Sequence, residues 1–230
     1  MVMGKVTVLR TIPHDSHNWT EGLAFLEGKL YEGTGQVGTS RIDVVDPENG
    51  AVLNSVPLPG FYGEGITIHK QQLTQLTYTE KVGFVYDPTT LKPLGQFHFQ
   101  TQTGEGWGLT NDGEHLIVSD GSANLYFLNP ADGSRVATLP VKDDRGPVTQ
   151  LNELEFVNGI IFANIWQTDD IVAIHADTGR VLARFDCTAL QESARSRDAL
   201  LNGIAYDAST DTFYLSGKTW SKSFAVKLRF

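Results

Sequence analysis

Glu64-Gly65-Ile66-Thr67 decides how this 230-residue chain is read, because four variants of it recur along the sequence. They are Glu21-Gly22-Leu23-Ala24, Trp107-Gly108-Leu109-Thr110, Asn152-Glu153-Leu154-Glu155 and Asn202-Gly203-Ile204-Ala205. Their leading positions lie 43, 43, 45 and 50 residues apart. Turn sequences keep the same beat in a second register. Asp46-Pro47-Glu48-Asn49-Gly50, Asp87-Pro88, Asn129-Pro130-Ala131-Asp132-Gly133 and His175-Ala176-Asp177-Thr178-Gly179 begin 41, 42 and 46 residues apart. Short runs of β-branched and aromatic residues between such turns read as hairpins. A period in the forties with four short strands per unit is the mark of a propeller blade. The expected fold is therefore all-β, a five-bladed β-propeller of four-stranded antiparallel blades, with residues 1–230 forming one domain.

The ends of the chain fit this count. Only 28 residues follow Asn202, too few for a full blade. Val6-Thr7-Val8-Leu9 alternates like a strand and is expected to complete the last blade, closing the ring and hiding an edge. The longest interval contains the polar stretch Gln191 to Asp198, expected as a loop or short helix on one face.

Composition narrows the function. The net charge of −9, with no long Lys/Arg cluster, disfavours nucleic acid and anionic membrane as partners. The single cysteine, Cys187, excludes an intrachain disulfide and a cysteine zinc cage, and reads as a small buried hydrophobe. No apolar run reaches the ~18 residues of a membrane span. Met1 to Lys5 lacks a signal-peptide core, so the compartment is left open.

In a propeller the innermost strands run along the axis, which gathers Glu21, Glu64, Trp107, Asn152 and Asn202 at one mouth. The second strand of each blade returns to that mouth, at Thr34, Tyr78, Asp120, Trp166 and Lys218. Singly, each has an ordinary role: Trp107 and Trp166 in packing, Glu64 in a turn, Lys218 in solvent, Asn202 bonded to backbone at a strand start. Together they set acids, amides, a lysine and aromatics on one rim, as a ligand pocket needs. Glycines at 63, 65, 104, 106 and 108 leave room around Glu64 and Trp107. His14, Asp15 and His17 could suggest a metal site, but two loop histidines without a matching ligand set read as surface or turn residues.

At these residues the chain resembles the plant and bacterial glutaminyl cyclases, or glutamine cyclotransferases. The resemblance runs from about Thr11 to Leu228. It is carried by His14-Asp15-Ser16-His17-Asn18-Trp19-Thr20-Glu21-Gly22-Leu23, Tyr62-Gly63-Glu64-Gly65-Ile66-Thr67 and Gly104-Glu105-Gly106-Trp107-Gly108-Leu109. Leu151-Asn152-Glu153-Leu154-Glu155, Ala163-Asn164-Ile165-Trp166-Gln167-Thr168-Asp169 and Leu201-Asn202-Gly203-Ile204-Ala205-Tyr206-Asp207 add to it.

The resemblance implies a metal-independent acyltransferase without cofactor that converts N-terminal glutamine of peptides or proteins to pyroglutamate and ammonia. It implies that Glu64 is the catalytic carboxylate, with Glu21, Asn152 and Lys218 in support. Trp19, Trp107 and Trp166 would form the aromatic pocket, and Tyr78, Asp120 and Asn202 would complete the substrate site. A monomer, and an exported protein, would be usual for such a family. The family often has Phe where Trp19 stands and Trp where Tyr78 stands. In the expected mechanism Glu64 shuttles the proton, while Lys218 and Asn152 hold the oxyanion or Lys218 tunes Glu64.

Two other readings compete. A metal-dependent propeller hydrolase of the lactonase kind could use Glu21, Glu64, Asn152 and Asn202 on a hard cation, although Trp107 and Lys218 suit that poorly. A non-enzymatic propeller scaffold would need no acid and aromatic set on one rim.

Overall fold

The computed structural model describes residues 1–191 and 198–230. Except for its two end residues, the expected loop or helix at Gln191 to Asp198 lies outside the described residues. What is described is five antiparallel blades around an axis, as the repeat predicts. Blade 1 comprises Thr20–Leu26, Lys29–Thr34, Arg41–Val45 and Val52–Pro57, in that order from the axis outward. Blade 2 comprises Gly63–His69, Gln72–Thr77, Val82–Tyr86 and Pro93–His98. Blade 3 runs through Leu109–Asn111, Leu116–Ser119, Asn124–Leu128 and Arg135–Pro140, and blade 4 through Leu151–Val157, Ile160–Ile165, Asp170–His175 and Val181–Asp186.

Blade 5 draws on both ends of the chain. Leu201–Asp207, Thr212–Gly217 and Lys222–Arg229 are completed by Lys5–Pro13, which pairs antiparallel with Lys222–Arg229 from Lys5 opposite Arg229 to Pro13 opposite Lys222. The closing strand is thus longer than the four residues whose alternation announces it. The sequence gives no warning of a further pairing: Val2–Met3 runs parallel to Val181–Asp186 on the outside of blade 4. The N-terminal segment therefore spans the seam between blades 4 and 5.

Burial follows position within each blade. Inner and middle strands pack face to face with neighbouring blades, so Ile160–Ile165 and Asp170–His175 are nearly continuous apolar runs, whereas outer strands such as Val52–Pro57 are mostly exposed. One turn repeats between third and fourth strands. The Gly50 N–H donates to the Asp46 carbonyl, Gly133 to Asn129 and Gly179 to His175, each glycine in the left-handed region. A Cβ on Gly50 would sit 2.0 Å from the Pro13 carbonyl oxygen, so the residue that makes the turn also lets adjacent blades touch. Blade 2 has Leu91 at the equivalent place, left-handed and buried.

Candidate active site

The five recurrent residues come to one mouth through a shared backbone irregularity. In blades 1, 2, 4 and 5 the pairing of the innermost strand slips by one residue at Glu21, Glu64-Gly65, Asn152-Glu153 and Asn202-Gly203. A bulge of this kind bends the strand and re-aims the extra residue. In blade 3 Trp107 precedes the strand, held by its own N–H on the Ser119 carbonyl at 3.0 Å and by Gly65 N–H on its carbonyl at 2.8 Å.

Here the mouth deepens into a cavity of about 500 Å³ lined by Trp19, Glu21, Tyr62, Glu64, Tyr78, Trp107, Asn152, Trp166, Gln167, Asp198, Leu200 and Lys218. Trp107 and Trp166 meet edge to face, ring centroids 5.5 Å apart. The Trp107 indole N–H donates to Glu105 at 2.8 Å, which fixes the ring. Lys218 Nζ donates to Glu21 Oε1 at 2.6 Å and lies 5.3 Å over the Trp19 ring. Tyr62 hydroxyl donates to the same Glu21 oxygen at 3.1 Å, and Asn202 Nδ2 to the other at 3.1 Å.

These contacts separate the two acids. Burial pushes the Glu64 carboxyl well above the usual range; the Glu21 charge adds to this, while Lys218 opposes it. Burial also raises Glu21, but Lys218 and the Tyr62 hydroxyl counter it directly. Beside these acids, burial raises Tyr62, and burial with Glu105 pushes Tyr78 up to about 12. Glu153 stands where the other repeats have glycine. Its buried carboxyl crosses from blade 4 to Leu23 N at 3.1 Å and Ile204 N at 2.7 Å, and burial holds it well above the usual range.

Of the ten residues expected in the site, Glu64, Lys218, Asn152, Glu21, Trp19, Trp107, Trp166 and Tyr78 line the cavity. Asp120 and Asn202 do not. Asp120 turns back into blade 3, accepting from Tyr126 hydroxyl at 2.9 Å and Thr103 N at 3.1 Å. Asn202 acts from behind, bonding the Thr20 carbonyl and Glu21. Counting along hairpins missed Tyr62, although it stands two residues before Glu64, and missed Gln167, Asp198 and Leu200. Of the two loop histidines, His17 is exposed as expected, but the His14 side chain is 8% exposed and bonded to Glu32.

The family model described as glutamine cyclotransferase matches residues 1–228. The chain belongs to the glutamine cyclotransferase family. A glutaminyl-peptide cyclotransferase of Arabidopsis thaliana is 32% identical over 99% of this chain and 72% of its own length. The crystal structure of Myxococcus xanthus glutaminyl cyclase superposes with a TM-score of 0.92 at 31% identity, covering 99% of this chain and 98% of that one. In this member of the glutamine cyclotransferase family the bulges, acids and indoles converge on a single mouth.

Proposed function

We propose that this chain is a glutaminyl-peptide cyclotransferase, closing N-terminal glutamine of peptides or proteins to pyroglutamate with release of ammonia. The observation that carries this is a buried carboxyl with a raised pKa, Glu64, inside an indole-lined cavity of a glutamine cyclotransferase family member. The α-amine must lose a proton before it can attack, and its unperturbed pKa of ~7.7 to 8.0 leaves most of it as ammonium at neutral pH. Entry of that ammonium favours ionised Glu64, which then takes the proton, the two groups being better matched than in water. The freed amine attacks the side-chain amide carbon, forming the ring C–N bond. The original C–N bond breaks as Glu64 returns its proton to the departing nitrogen, and the second proton of the ring nitrogen leaves with the ammonia as ammonium.

Ring closure needs one rotamer of the glutamine side chain, and Trp107 and Trp166 supply walls that restrict it. Asn152, on the cavity wall, supplies a donor to the oxyanion. Lys218 is engaged with Glu21, so its main part is to keep Glu21 ionised beside Glu64, while its own charge draws Glu64 part of the way back down. That ammonium, bonded to Glu21, would repel a hard cation held by the same acids, which disfavours the lactonase reading. The decisive test is ammonia release from an N-terminal glutamine dipeptide, with its N-acetylated form as control. Release from the free dipeptide alone is expected; no release from it would overturn the proposal.

A further inference from the structure

Behind the Trp19 and Lys218 wall lies a second buried cluster that the reaction itself does not touch. Glu32, 2% exposed, points inward from the second strand of blade 1. Its Oε1 accepts from Thr20 Oγ1 at 2.7 Å and faces His14 Nε2 at 2.8 Å, while its Oε2 accepts from Asn18 Nδ2 at 2.8 Å. The other ring nitrogen of His14, Nδ1, is 2.6 Å from the Trp220 carbonyl oxygen. A backbone carbonyl can only accept, and Glu32, which accepts from Thr20 and Asn18 and is held below the ordinary carboxyl range beside His14, is ionised and accepts as well. Both ring nitrogens therefore carry protons, making His14 an imidazolium. Burial alone would lower its pKa, yet the Glu32 charge and hydrogen bond outweigh that and hold His14 at about 9.

The groups tied to this pair bracket both wall residues. Asn18 and Thr20 flank Trp19. Thr219 N donates to the Asn18 carbonyl at 2.8 Å, Thr20 Oγ1 reaches the Gly217 carbonyl at 3.3 Å, and Trp220 supplies the carbonyl for His14, so Lys218 is anchored from both sides. We infer that His14 and Glu32 form a buried ion pair that positions Trp19 and Lys218 for cyclisation, with His14 working through its doubly protonated ring. This rests on reading the cavity as the site of cyclisation.

The charged and titratable surroundings of His14 are few. Glu32 faces it from the second strand of blade 1, and Asp15 from its own loop, where that carboxylate also bonds His17. Arg41, from the third strand of blade 1, reaches Asn18 Oδ1 and is paired with Asp43 at 2.8 Å. Blade 5 offers the Trp220 and Ser221 carbonyls and Ser223. A folded-state pKa above the ordinary 6.5 means that the His14 contribution is complete below 6.5 and is lost as pH rises through about 9. Glu32, held below the ordinary 4.5, contributes fully above 4.5 and loses its share as pH falls beneath it.

The test combines ring ¹⁵N shifts of His14, the Trp19 indole N–H resonance and the pH profile of kcat. Wild type is expected to keep both ring protons until about pH 9, with the Trp19 resonance and kcat changing at the same midpoint. His14→Gln should lower kcat at pH 7 about 10- to 100-fold, more than it raises KM, and lose that alkaline limb. A His14 ring that titrates below pH 7 would overturn the inference. So would a His14→Gln protein with wild-type kcat and an unchanged limb. If that variant does not fold, the wild-type ring and Trp19 midpoints decide: agreement supports the pair, disagreement overturns it. If wild type releases no ammonia, the cyclase reading fails, whereas the ring and indole titrations still judge the positioning pair.

Discussion

Lys218 Nζ donates to Glu21 Oε1 across 2.6 Å, and their side chains are only 8% and 2% exposed. Blade 5 thus neutralises an acid of blade 1 at the point where the ring closes. A buried pair of this kind gives little net stability, because both charges lose hydration, but breaking it strands one of them.

Lys218→Met is accordingly expected to lower the unfolding free energy by about 3–5 kcal/mol near pH 8. The loss should be smaller at pH 5, where the orphaned Glu21 can take a proton. A Glu21→Gln, Lys218→Met double variant should recover most of the stability and little of the activity. Urea titration of the three proteins with a parallel ammonia assay checks this; a double variant no more stable than Lys218→Met would contradict it.

Glu64→Gln removes the proton carrier while keeping the shape. It should fold as wild type, with an unchanged circular dichroism spectrum and a melting temperature equal or higher, since a buried ionisable group is gone. Its kcat for a glutamine dipeptide should fall by about 10²- to 10⁴-fold, the range expected of one general acid-base residue. Wild-type kcat in this protein would remove Glu64 from the mechanism.

The recurrent Glu-Gly and Asn-Gly stretches made the blades and the closing strand legible, because their period reports which strand lies next to the axis. Side-chain direction was less legible. Asp120 holds the expected register position, but the Ser122 and Tyr126 hydroxyls of its own blade draw its carboxylate inward. Tyr62 sits outside the count yet reaches Glu21, since the bulge at Glu64-Gly65 re-aims the backbone just after it. His14 reads as a surface or turn residue in the sequence because its partners, Glu32 and Trp220, are 18 and 206 residues away.

Gly108 shows how tightly the axis is packed. A Cβ there would lie 2.0 Å from the Asn152 carbonyl oxygen, a backbone atom of the next blade that cannot swing aside. Gly108→Ala is therefore expected to cost at least about 1–3 kcal/mol, the usual cost of overpacking, and to disturb Trp107 beside it. Gly60→Ala, with nothing within 4 Å of the new Cβ, should leave stability within about 0.5 kcal/mol of wild type. Equal melting temperatures for the two variants would mean that the blades are not in this contact.

At the opposite mouth of the ring, Glu155 lies beside Thr67, Thr110, Asn111 and Tyr206. Burial pushes its carboxyl from the ordinary 4.5 up to about 8, against the Tyr206 N–H and Thr110 hydroxyl that favour the charged form. Between those two values the folded chain holds a proton that the unfolded chain has given up. The associated stability is thus complete below about 4.5 and is lost as pH rises through about 8. Glu155→Gln has no such proton to lose, so its urea midpoint relative to wild type should climb from pH 5 to pH 8.5. Glu153 is raised in the same sense, in part by the Glu155 charge, so the difference reports Glu155 together with the relief it gives Glu153. Ammonia release at pH 6 should be unchanged, because this acid faces away from the indole-lined cavity; a stability difference that does not vary with pH would refute the titration.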